Sequence, residues 1–405
     1  MSINNNVPEL LSPAGDIEKL KTVYAYGADA AYIGINQFSL RESGIKSDSA
    51  TLKAINDVKN EYKGKKLYAA VNMFFFDNDI QTLNENIGEI KDLNVDGFIV
   101  SDLGAAMCLK RHFPSVPLHL STQASCTNSE SVKVYKDLGF SRIILAREVD
   151  IDNIRRIKDA VPDMEIEVFV HGAMCMAVSG RCILSSVTTH RSANRGECAH
   201  TCRWKYRVAI EEEKREGEYL PLEEHNGWNT ILSSKDLCMI DHLDELIAAG
   251  VSSLKIEGRM KSTYYAALIT RAYRKMLDKD KDAVLFRDEI EKVSHREWTT
   301  GFFYNNERTD FAPPREEYTR LYRFLGTVIS EVKKGVWEVD IKYQISSKRE
   351  IEAIGPDVLS VSLGCVETLN KDFENVEHID HCMKGYIKTD KQLKSGYILR
   401  EKIRD

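Results

Sequence analysis

The sequence predicts an α/β fold, a parallel (β/α)8 barrel of the TIM type, followed by a small all-β domain. The first observation is a helix-to-strand junction that recurs at 27–34, 94–100, 139–145 and 250–256. At each junction a Gly or Asn ends the helix, where positive φ is favoured. The apolar run that follows does not alternate with polar residues, which is typical of a strand covered on both faces. Repeated junctions of this kind indicate a parallel sheet.

The second observation is the number of apolar runs before residue 260. Barrel strands are predicted near Glu9–Ser12, Ala30–Ile35, Lys66–Asn72, Gly97–Ser101, Leu118–Ser121, Arg142–Ala146, Glu165–Val170 and Ser252–Glu257. Helices are predicted between them, for example over Asp16–Tyr26, Asn78–Leu93 and Asp150–Ala160. Eight strands within about 250–280 residues match a closed barrel, whereas an open doubly wound sheet usually has fewer.

The third observation is a connection of about 80 residues between the seventh and eighth strands, a length that is usually functional in a compact domain. It is predicted to contain a hairpin around Glu211–Gly217 and a helix over Asp236–Ala249, capped by Ser233 or Ser234. A long amphipathic helix is predicted over Thr263–Lys279.

These patterns divide the chain into domains. We expect the barrel over 1–280, including a cysteine-rich insertion at 172–250, then a helical and extended connector at 281–320. Short alternating strands predict a small β-barrel domain at 321–405.

Composition limits the location of the protein and its partners. The 405 residues contain no run of 18 apolar residues, and the N-terminus lacks the features of a signal peptide. We therefore expect a cytoplasmic protein without a membrane segment. The net charge of -6 does not favour nucleic acid, so any RNA contact must depend on local basic patches.

Cysteines are concentrated in the insertion. Cys175, Cys182, Cys198 and Cys202 are separated by gaps of six, fifteen and three residues. Disulfides are rare in the cytosol, so such clustering points to a metal. Zinc sites favour tight pairs, which only Cys198 and Cys202 approach, whereas irregular spacing suits a 4Fe-4S cluster. Cys238 is a further candidate ligand. A small buried apolar residue is the alternative for any cysteine and the default for Cys108, Cys126, Cys365 and Cys382.

The segment around the first two cysteines resembles a known family. It reads Glu167-x-Phe169-x-x-Gly172-Ala173-Met174-Cys175-x-x-x-x-Gly180-x-Cys182-x-Leu184-Ser185, similar to the signature of the collagenase-like peptidase family of unassigned catalytic type. The resemblance extends to Glu9–Gly15, Ser121–Gln123 and Ser253–Arg259 and covers the whole barrel.

Within that family the chain is most similar to the members that hydroxylate tRNA. The resemblance implies 5-hydroxylation of the wobble uridine in a tRNA anticodon loop, dependent on prephenate rather than dioxygen. It also implies a 4Fe-4S cluster on the positions matching Cys175, Cys182, Cys198 and Cys202. Ubiquinone-pathway relatives use the position matching Cys238, so the fourth ligand is left open.

Two basic segments are candidates for RNA binding. Residues 181–207 have six basic side chains against Glu197, interleaved with Trp204 and Tyr206, a pattern that suits phosphates and stacked loop bases. Its candidate substrate-binding residues are Arg181, Arg191, Arg195 and Arg203. Residues 255–275 have six basic residues against Glu257, with Tyr264, Tyr265 and Tyr273. There the alternative is a solvated helix face carrying Arg271, Arg274 and Lys275.

Strand ends predict the residues at the mouth of the barrel, where active sites of this fold lie. They select Asn72, Asp102, Gln123, Glu148, His171, Lys255, Glu257 and Arg259, with Arg41 after the second strand. His171, Lys255, Glu257 and Arg259 are the catalytic candidates, and Arg41 and Gln123 the substrate-binding ones. The cations Arg41, Lys255 and Arg259 suit a small dicarboxylate. A salt-bridged barrel interior is the alternative for Lys255 and Glu257, and a structural histidine for His171.

Three other functions remain open: a hydroxylase of another RNA or of a ring substrate, a peptidase acting on collagen-like substrates, and a cluster-carrying partner without its own chemistry. The sequence contains no HExxH motif and no Ser-His-Asp order, but a cysteine paired with His171 or His200 would permit peptidase chemistry. Whether the chain associates with a copy of itself or with a paralogue is also open.

Overall fold

The N-terminal part of the chain forms a closed barrel. The computed structural model describes residues 7–35, 38–39, 48–175, 177–178, 181–182, 184–204, 208–211, 217, 219–222, 235–304, 319–381 and 383–403. The strands of this part are β1 (Glu9–Pro13), β2 (Ala30–Gly34), β3 (Lys66–Val71), β4 (Gly97–Val100), β5 (Leu118–Leu120), β6 (Phe140–Ile144), β7 (Glu165–Ala173), β8 (Val208–Glu211), β9 (Tyr219–Leu222), β10 (Asp236–Cys238), β11 (Ser253–Ile256) and β12 (Trp298–Thr299).

The barrel is closed by β11, the eighth parallel strand. It pairs in parallel with both β1 and β7, placing Leu254 opposite Leu10 on one side and Val168 on the other. These strands are buried along nearly their whole length, which explains their continuous apolar sequences. The predicted (β/α)8 barrel is confirmed.

Helices cover the outside of the barrel. They are α1 (Ile17–Ala25), α2 (Ser49–Glu61), α3 (Asp77–Glu85), α4 (Ile87–Asp92), α5 (Leu103–His112), α6 (Ser129–Asp137), α7 (Ile151–Ala160), α8 (Leu184–Thr189), α9 (Leu243–Ala248), α10 (Thr263–Leu277) and α11 (Ala283–Asp288). Short 3-10 turns span Thr122–Ala124, Ala193–Arg195, Thr201–Arg203, Ile240–His242 and Glu289–Lys292.

Aspartate caps define where several of these helices begin. The carboxylates of Asp16, Asp48, Asp102 and Asp150 each accept a hydrogen bond from a backbone N–H of the first turn. The helices predicted over 16–26 and 150–160 are therefore confirmed within a residue. The single helix predicted over 78–93 is instead two helices, because Asn86 leaves helical geometry and its amide caps the end of α3.

The insertion contains one feature that the sequence pattern misassigned. The hairpin β8–β9 is present as predicted, but residues 236–238 form a strand rather than the start of a helix. Strand β10 pairs antiparallel with the end of β7, and the Asp236 carboxylate accepts hydrogen bonds from Arg296. These tertiary contacts override helix propensity until α9 begins at Leu243. Ser233 and Ser234 lie outside the described residues.

The amphipathic helix predicted over 263–279 is present as α10, but most of its polar face is not exposed to water. Every residue from Thr263 to Tyr273 is buried, because the C-terminal domain covers the face that would otherwise contact water. The Arg271 guanidinium donates hydrogen bonds to the carbonyl oxygens of Gly355 and Val358, both at 2.7 Å. A helix buried on all sides anchors one domain to the other.

The C-terminal domain is an antiparallel half-barrel. Its strands are β13 (Tyr322–Lys333), β14 (Val336–Ile341), β15 (Ile345–Ser346), β16 (Glu350–Ile354), β17 (Val361–Cys365), β18 (Glu367–Leu369), β19 (Asn375–Val376), β20 (His378–Ile379), β21 (Gly385–Lys388) and β22 (Ile398–Lys402). Eight of them form one sheet in the order β17-β16-β22-β13-β14-β21-β18-β19, and β15 pairs with β20. The all-β prediction is confirmed, with its own core around Leu325, Val339 and Leu399.

No helix within the described residues has the length and apolar character needed to span a membrane.

Candidate functional site

A cavity of about 240 Å³ opens at the carboxyl ends of the barrel strands. Residues from the ends of β2, β3, β5, β6, β7 and β11 form its walls, and the cysteine-rich insertion closes one side. This is the face on which active sites of this fold are found. The cavity is therefore the candidate functional site.

All four cysteines of the predicted cluster, Cys175, Cys182, Cys198 and Cys202, line this cavity. Cys175 follows the end of β7 directly, whereas Cys198 and Cys202 come from the turns after α8. The 28-residue span from Cys175 to Cys202 thus brings all four cysteines to one cavity at the barrel mouth.

Hydrogen bonds hold the cysteine-bearing segments on the barrel. Arg181 Nε donates to the carbonyl oxygen of Gln123 at 2.8 Å, and Cys182 N donates to Asn194 Oδ1 at 3.2 Å. Phe74 N, on the barrel, donates to the carbonyl oxygen of Asn194 at 3.1 Å. The thiol positions are therefore set by contacts with the ends of β3 and β5.

Cys238 lies elsewhere. It is in β10 opposite His171, it does not line the cavity, and its thiol is hydrogen-bonded with Tyr273. Burial raises the pKa of the Cys238 thiol to about 11, which disfavours the thiolate that a metal requires. The structure therefore separates Cys238 from the other four candidate ligands.

The donor set of the cavity is compatible with a 4Fe-4S cluster. Four thiols facing one space meet the ligand count of a cubane, and the Cys182 sulfur already accepts a backbone hydrogen bond from Leu184 N at 3.4 Å. Among the described residues, no three His, Cys, Asp or Glu side chains are arranged to hold a single metal ion.

Basic side chains line the same cavity. Arg147, Lys255, Arg259 and Lys261 line the cavity, where Glu257 is the only acidic residue among the described lining residues. Arg147 is fixed by a hydrogen bond to the carbonyl oxygen of Ala173 at 2.6 Å and lies over the Phe169 ring. Arg259 is buried and donates to Ser39 Oγ at 2.7 Å. Preorganised guanidinium groups of this kind suit carboxylates.

Lys255 belongs both to the cavity lining and to an ionic network inside the barrel. Its ammonium donates to Glu167 Oε1 at 2.9 Å, and Arg142 lies 3.1 Å from the other Glu167 oxygen. Burial lowers the pKa of Lys255, and the neighbouring Glu167 carboxylate opposes that shift. The salt-bridged interior proposed as the alternative for Lys255 is thus present, with Glu167 as the partner rather than Glu257.

His171 does not fit the predicted role as a proton carrier. It is fully buried, does not line the cavity, and its Nδ1 lies 3.3 Å from the Tyr273 hydroxyl. Burial lowers its pKa to about 3, so the ring is neutral at physiological pH. The register of β7 shifts beside His171, and Gly172 has a φ of 111°, which turns the histidine away from the barrel interior.

The predicted RNA-contacting arginines differ in their contacts within the protein. Arg195 forms two hydrogen bonds with the Asp79 carboxylate, at 2.8 and 2.9 Å, and so holds the insertion against α3. Arg181 is committed to Gln123 and lies over the Phe74 ring, whereas Arg191 is exposed. The backbone of Arg203 lies in the turn that carries Cys202. Arg41, Lys205, Tyr206 and Arg207 lie outside the described residues.

The basic side chains in the helical part of the second segment, residues 263–275, contact other parts of the protein. Arg274 pairs with Asp29 at 3.0 Å and Lys275 with Asp280 at 3.0 Å, while Arg271 is buried under the C-terminal domain. Tyr264, Tyr265 and Tyr273 are buried as well. Both sequence interpretations of this helix were wrong for Arg271, because neither included the domain that covers it.

Neutral polar side chains also line the cavity. They are Asn72, Ser121, Thr122 and Gln123, at the ends of β3 and β5. Sequence reasoning selected Asn72 and Gln123 but missed Arg147, Ser121, Thr122 and the Tyr32 ring. Arg147 lies three residues past β6, next to Glu148, which its strand-end position selects as a mouth residue. The same strand-end position could therefore have identified Arg147 as a cavity residue. Asp102 is the N-cap of α5 and does not line the cavity.

Fold and site together define a (β/α)8-barrel protein with a cysteine-lined cavity at its carboxyl face. The chain belongs to Peptidase family U32, whose profile matches residues 15–312. It is similar to tRNA hydroxylation protein P of Escherichia coli, at 36% identity over 394 residues and 86% of each chain. Its identity with the 23S rRNA 5-hydroxycytidine C2501 synthase of Escherichia coli is 35%, over 82% of this chain and 50% of that protein. A protein of Porphyromonas gingivalis named collagenase is 30% identical over 93% of both chains.

Proposed function

We propose that this protein is a cytoplasmic tRNA-modifying hydroxylase that acts on carbon 5 of the wobble uridine and depends on prephenate rather than dioxygen. In this proposal Cys175, Cys182, Cys198 and Cys202 hold a 4Fe-4S cluster. The observation that carries it is the meeting of four cysteines and a wall of fixed cations in one cavity. The names of the relatives, which include a tRNA hydroxylation protein and an rRNA hydroxycytidine synthase, support RNA hydroxylation as the reaction class.

A bound cluster would supply electron transfer or Lewis acidity beside the substrates. The protein's own residues would bind and orient those substrates. Arg147, Arg259 and Lys261 are the candidates for the two carboxylates of prephenate, because all three line the cavity. Glu257 is the candidate for accepting or returning a proton, since it is the acidic residue among the described residues that line the cavity.

The base must leave the anticodon loop to enter the cavity. Unpaired loop bases are splayed out at lower cost than paired ones. Trp204, two residues after Cys202, is 47% exposed and can stack on such a loop. Arg191, in the same insertion, is an exposed candidate for a phosphate. The insertion that holds the cluster would thereby also hold the RNA.

The test is mass spectrometry of tRNA nucleosides from a strain that lacks this gene and any paralogue. We expect loss of the 5-hydroxyuridine-derived nucleoside, restoration by the wild-type gene, and the same loss in cells unable to make prephenate. Normal nucleosides in the deletion strain would reject the tRNA substrate. Normal modification without prephenate would reject only the co-substrate.

A peptidase is the second candidate, favoured by the collagenase relative and by one feature of the cavity. His200 lines the cavity with the four cysteines, so a cysteine–histidine pair has room to form there, whereas His171 is excluded by its burial. Gelatin hydrolysis by the purified protein that is lost in a His200→Ala variant would favour this function. Absence of hydrolysis in protein that retains its iron would reject it.

A further inference from the structure

The cavity contains a buried glutamine, Gln123, whose Oε1 has no hydrogen-bond partner among the described residues. We infer that the amide of Gln123 reads the hydrogen-bonding edge of the pyrimidine base that enters the cavity. This inference rests on the proposed function, because it assumes that an RNA base enters this cavity.

The backbone of Gln123 is held from both sides. Gln123 lies in the 3-10 turn after β5, where its N–H donates to Ser121 Oγ at 3.3 Å. Its carbonyl oxygen accepts from Arg181 Nε at 2.8 Å. The turn is thus fixed between the barrel and the segment that carries Cys182. A side chain on such a support is well placed to define the position of a ligand.

The Oε1 atom of the side chain has no comparable partner among the described residues. Gln123 is 9% exposed and lines the cavity, and its buried Oε1 has no hydrogen-bond partner among the described residues. Buried polar atoms in native proteins are nearly always paired, so an exception needs a bound ligand or water to explain it. The last torsion of glutamine is soft, and rotation about it lets either amide atom face the cavity.

An amide is complementary to the edge of uracil. It offers one donor and one acceptor side by side, and uracil presents the N3–H donor beside the O4 acceptor. Carboxylates, by contrast, are expected at Arg147, Arg259 and Lys261, because cations bind them more strongly than neutral amides do. Ser121 and Thr122, which precede Gln123, and Asn72, whose amide lies 3.5 Å from Ser121 Oγ, are neutral as well. We therefore assign the base to these neutral residues and the carboxylates to the cations.

The test compares two anticodon stem-loop RNAs, one with uridine and one with N3-methyluridine at the wobble position. The methyl group removes the N3–H donor and leaves the charge and the rest of the RNA unchanged. We expect the wild-type protein to bind the uridine RNA about tenfold more tightly. In Gln123→Leu this preference should disappear, whereas Gln392→Leu, an exposed glutamine in the C-terminal domain, should keep it. Equal affinity of the wild-type protein for the two RNAs, or no binding of either, would overturn the inference.

Two further measurements separate this inference from the proposed function. Gln123→Leu should keep its iron content and its affinity for prephenate. Loss of prephenate affinity with an intact uridine preference would overturn the assignment of Gln123 to the base. Normal nucleosides in the deletion strain would reject the hydroxylase, but the uridine preference would still decide the role of Gln123.

Discussion

Replacing Glu167 by glutamine tests whether the barrel interior keeps Lys255 charged at the wall of the cavity. Glu167 is completely buried in β7, between Lys255 at 2.9 Å and Arg142 at 3.1 Å. Burial alone would raise the pKa of Glu167, but these two cations hold it below its ordinary value. The carboxylate is therefore ionised in the folded protein and compensates two buried positive charges.

The expected loss of stability follows from those contacts. Removing one partner of a buried ion pair leaves the other charge uncompensated and costs about 3–5 kcal/mol. The pKa of Lys255, already lowered by burial, should fall further without its carboxylate partner. Hydroxylation should then decrease as well, because a neutral amine at the cavity wall binds carboxylates less well.

The assay is urea unfolding. The stability change is taken from the shift in the urea midpoint, with the dependence of the unfolding free energy on urea concentration unchanged. Glu165→Gln is the matched control, since Glu165 contacts the same Arg142 guanidinium at 2.7 Å but is 51% exposed. We expect the control to cost less than about 1 kcal/mol. Combining Glu167→Leu with Lys255→Met should restore part of the stability, because it removes both charges. A Glu167→Gln loss no larger than that of the control would refute this account of the network.

Three further predictions concern the cluster, the co-substrate and pH. Alanine at any of the four cavity cysteines should abolish iron content and visible absorption, whereas Cys238→Ala should retain both; the opposite result for Cys202 and Cys238 would exchange their roles. Arg259→Ala should keep iron but lose most hydroxylated nucleoside in cells, and normal modification would remove Arg259 from the site. His171, whose folded pKa is about 3, should make the protein less stable as pH falls from about 6.5 to 3, by roughly 1.4 kcal/mol per unit, because only the unfolded chain takes up a proton in that range. If the unfolding free energy of His171→Phe, measured by urea unfolding, fell with pH as steeply as that of the wild-type protein, this prediction would be contradicted.

Much of the fold could be predicted because its signals are local. The apolar runs, the glycine junctions and the aspartate caps depend on neighbours within a few residues, and they placed eight barrel strands and most helices correctly. The strand at Asp236–Cys238 escaped this reasoning because its pairing partner, β7, lies more than sixty residues earlier in the chain. Local propensity carries no information about a hydrogen-bond partner that far away in the sequence.

The candidate site shows the same division. By itself the sequence determined that cysteines, strand-end polar residues and basic side chains would gather at one face, because parallel strands all end on the same side of a barrel. Only the tertiary structure decided which of them face one another. It brought Arg147 into the cavity, turned His171 outward at the register shift in β7, and buried Arg271 beneath the C-terminal domain. The physical reason is that a side chain's surroundings depend on strand register and on the packing of distant segments, which are settled only when β11 closes the barrel between β1 and β7.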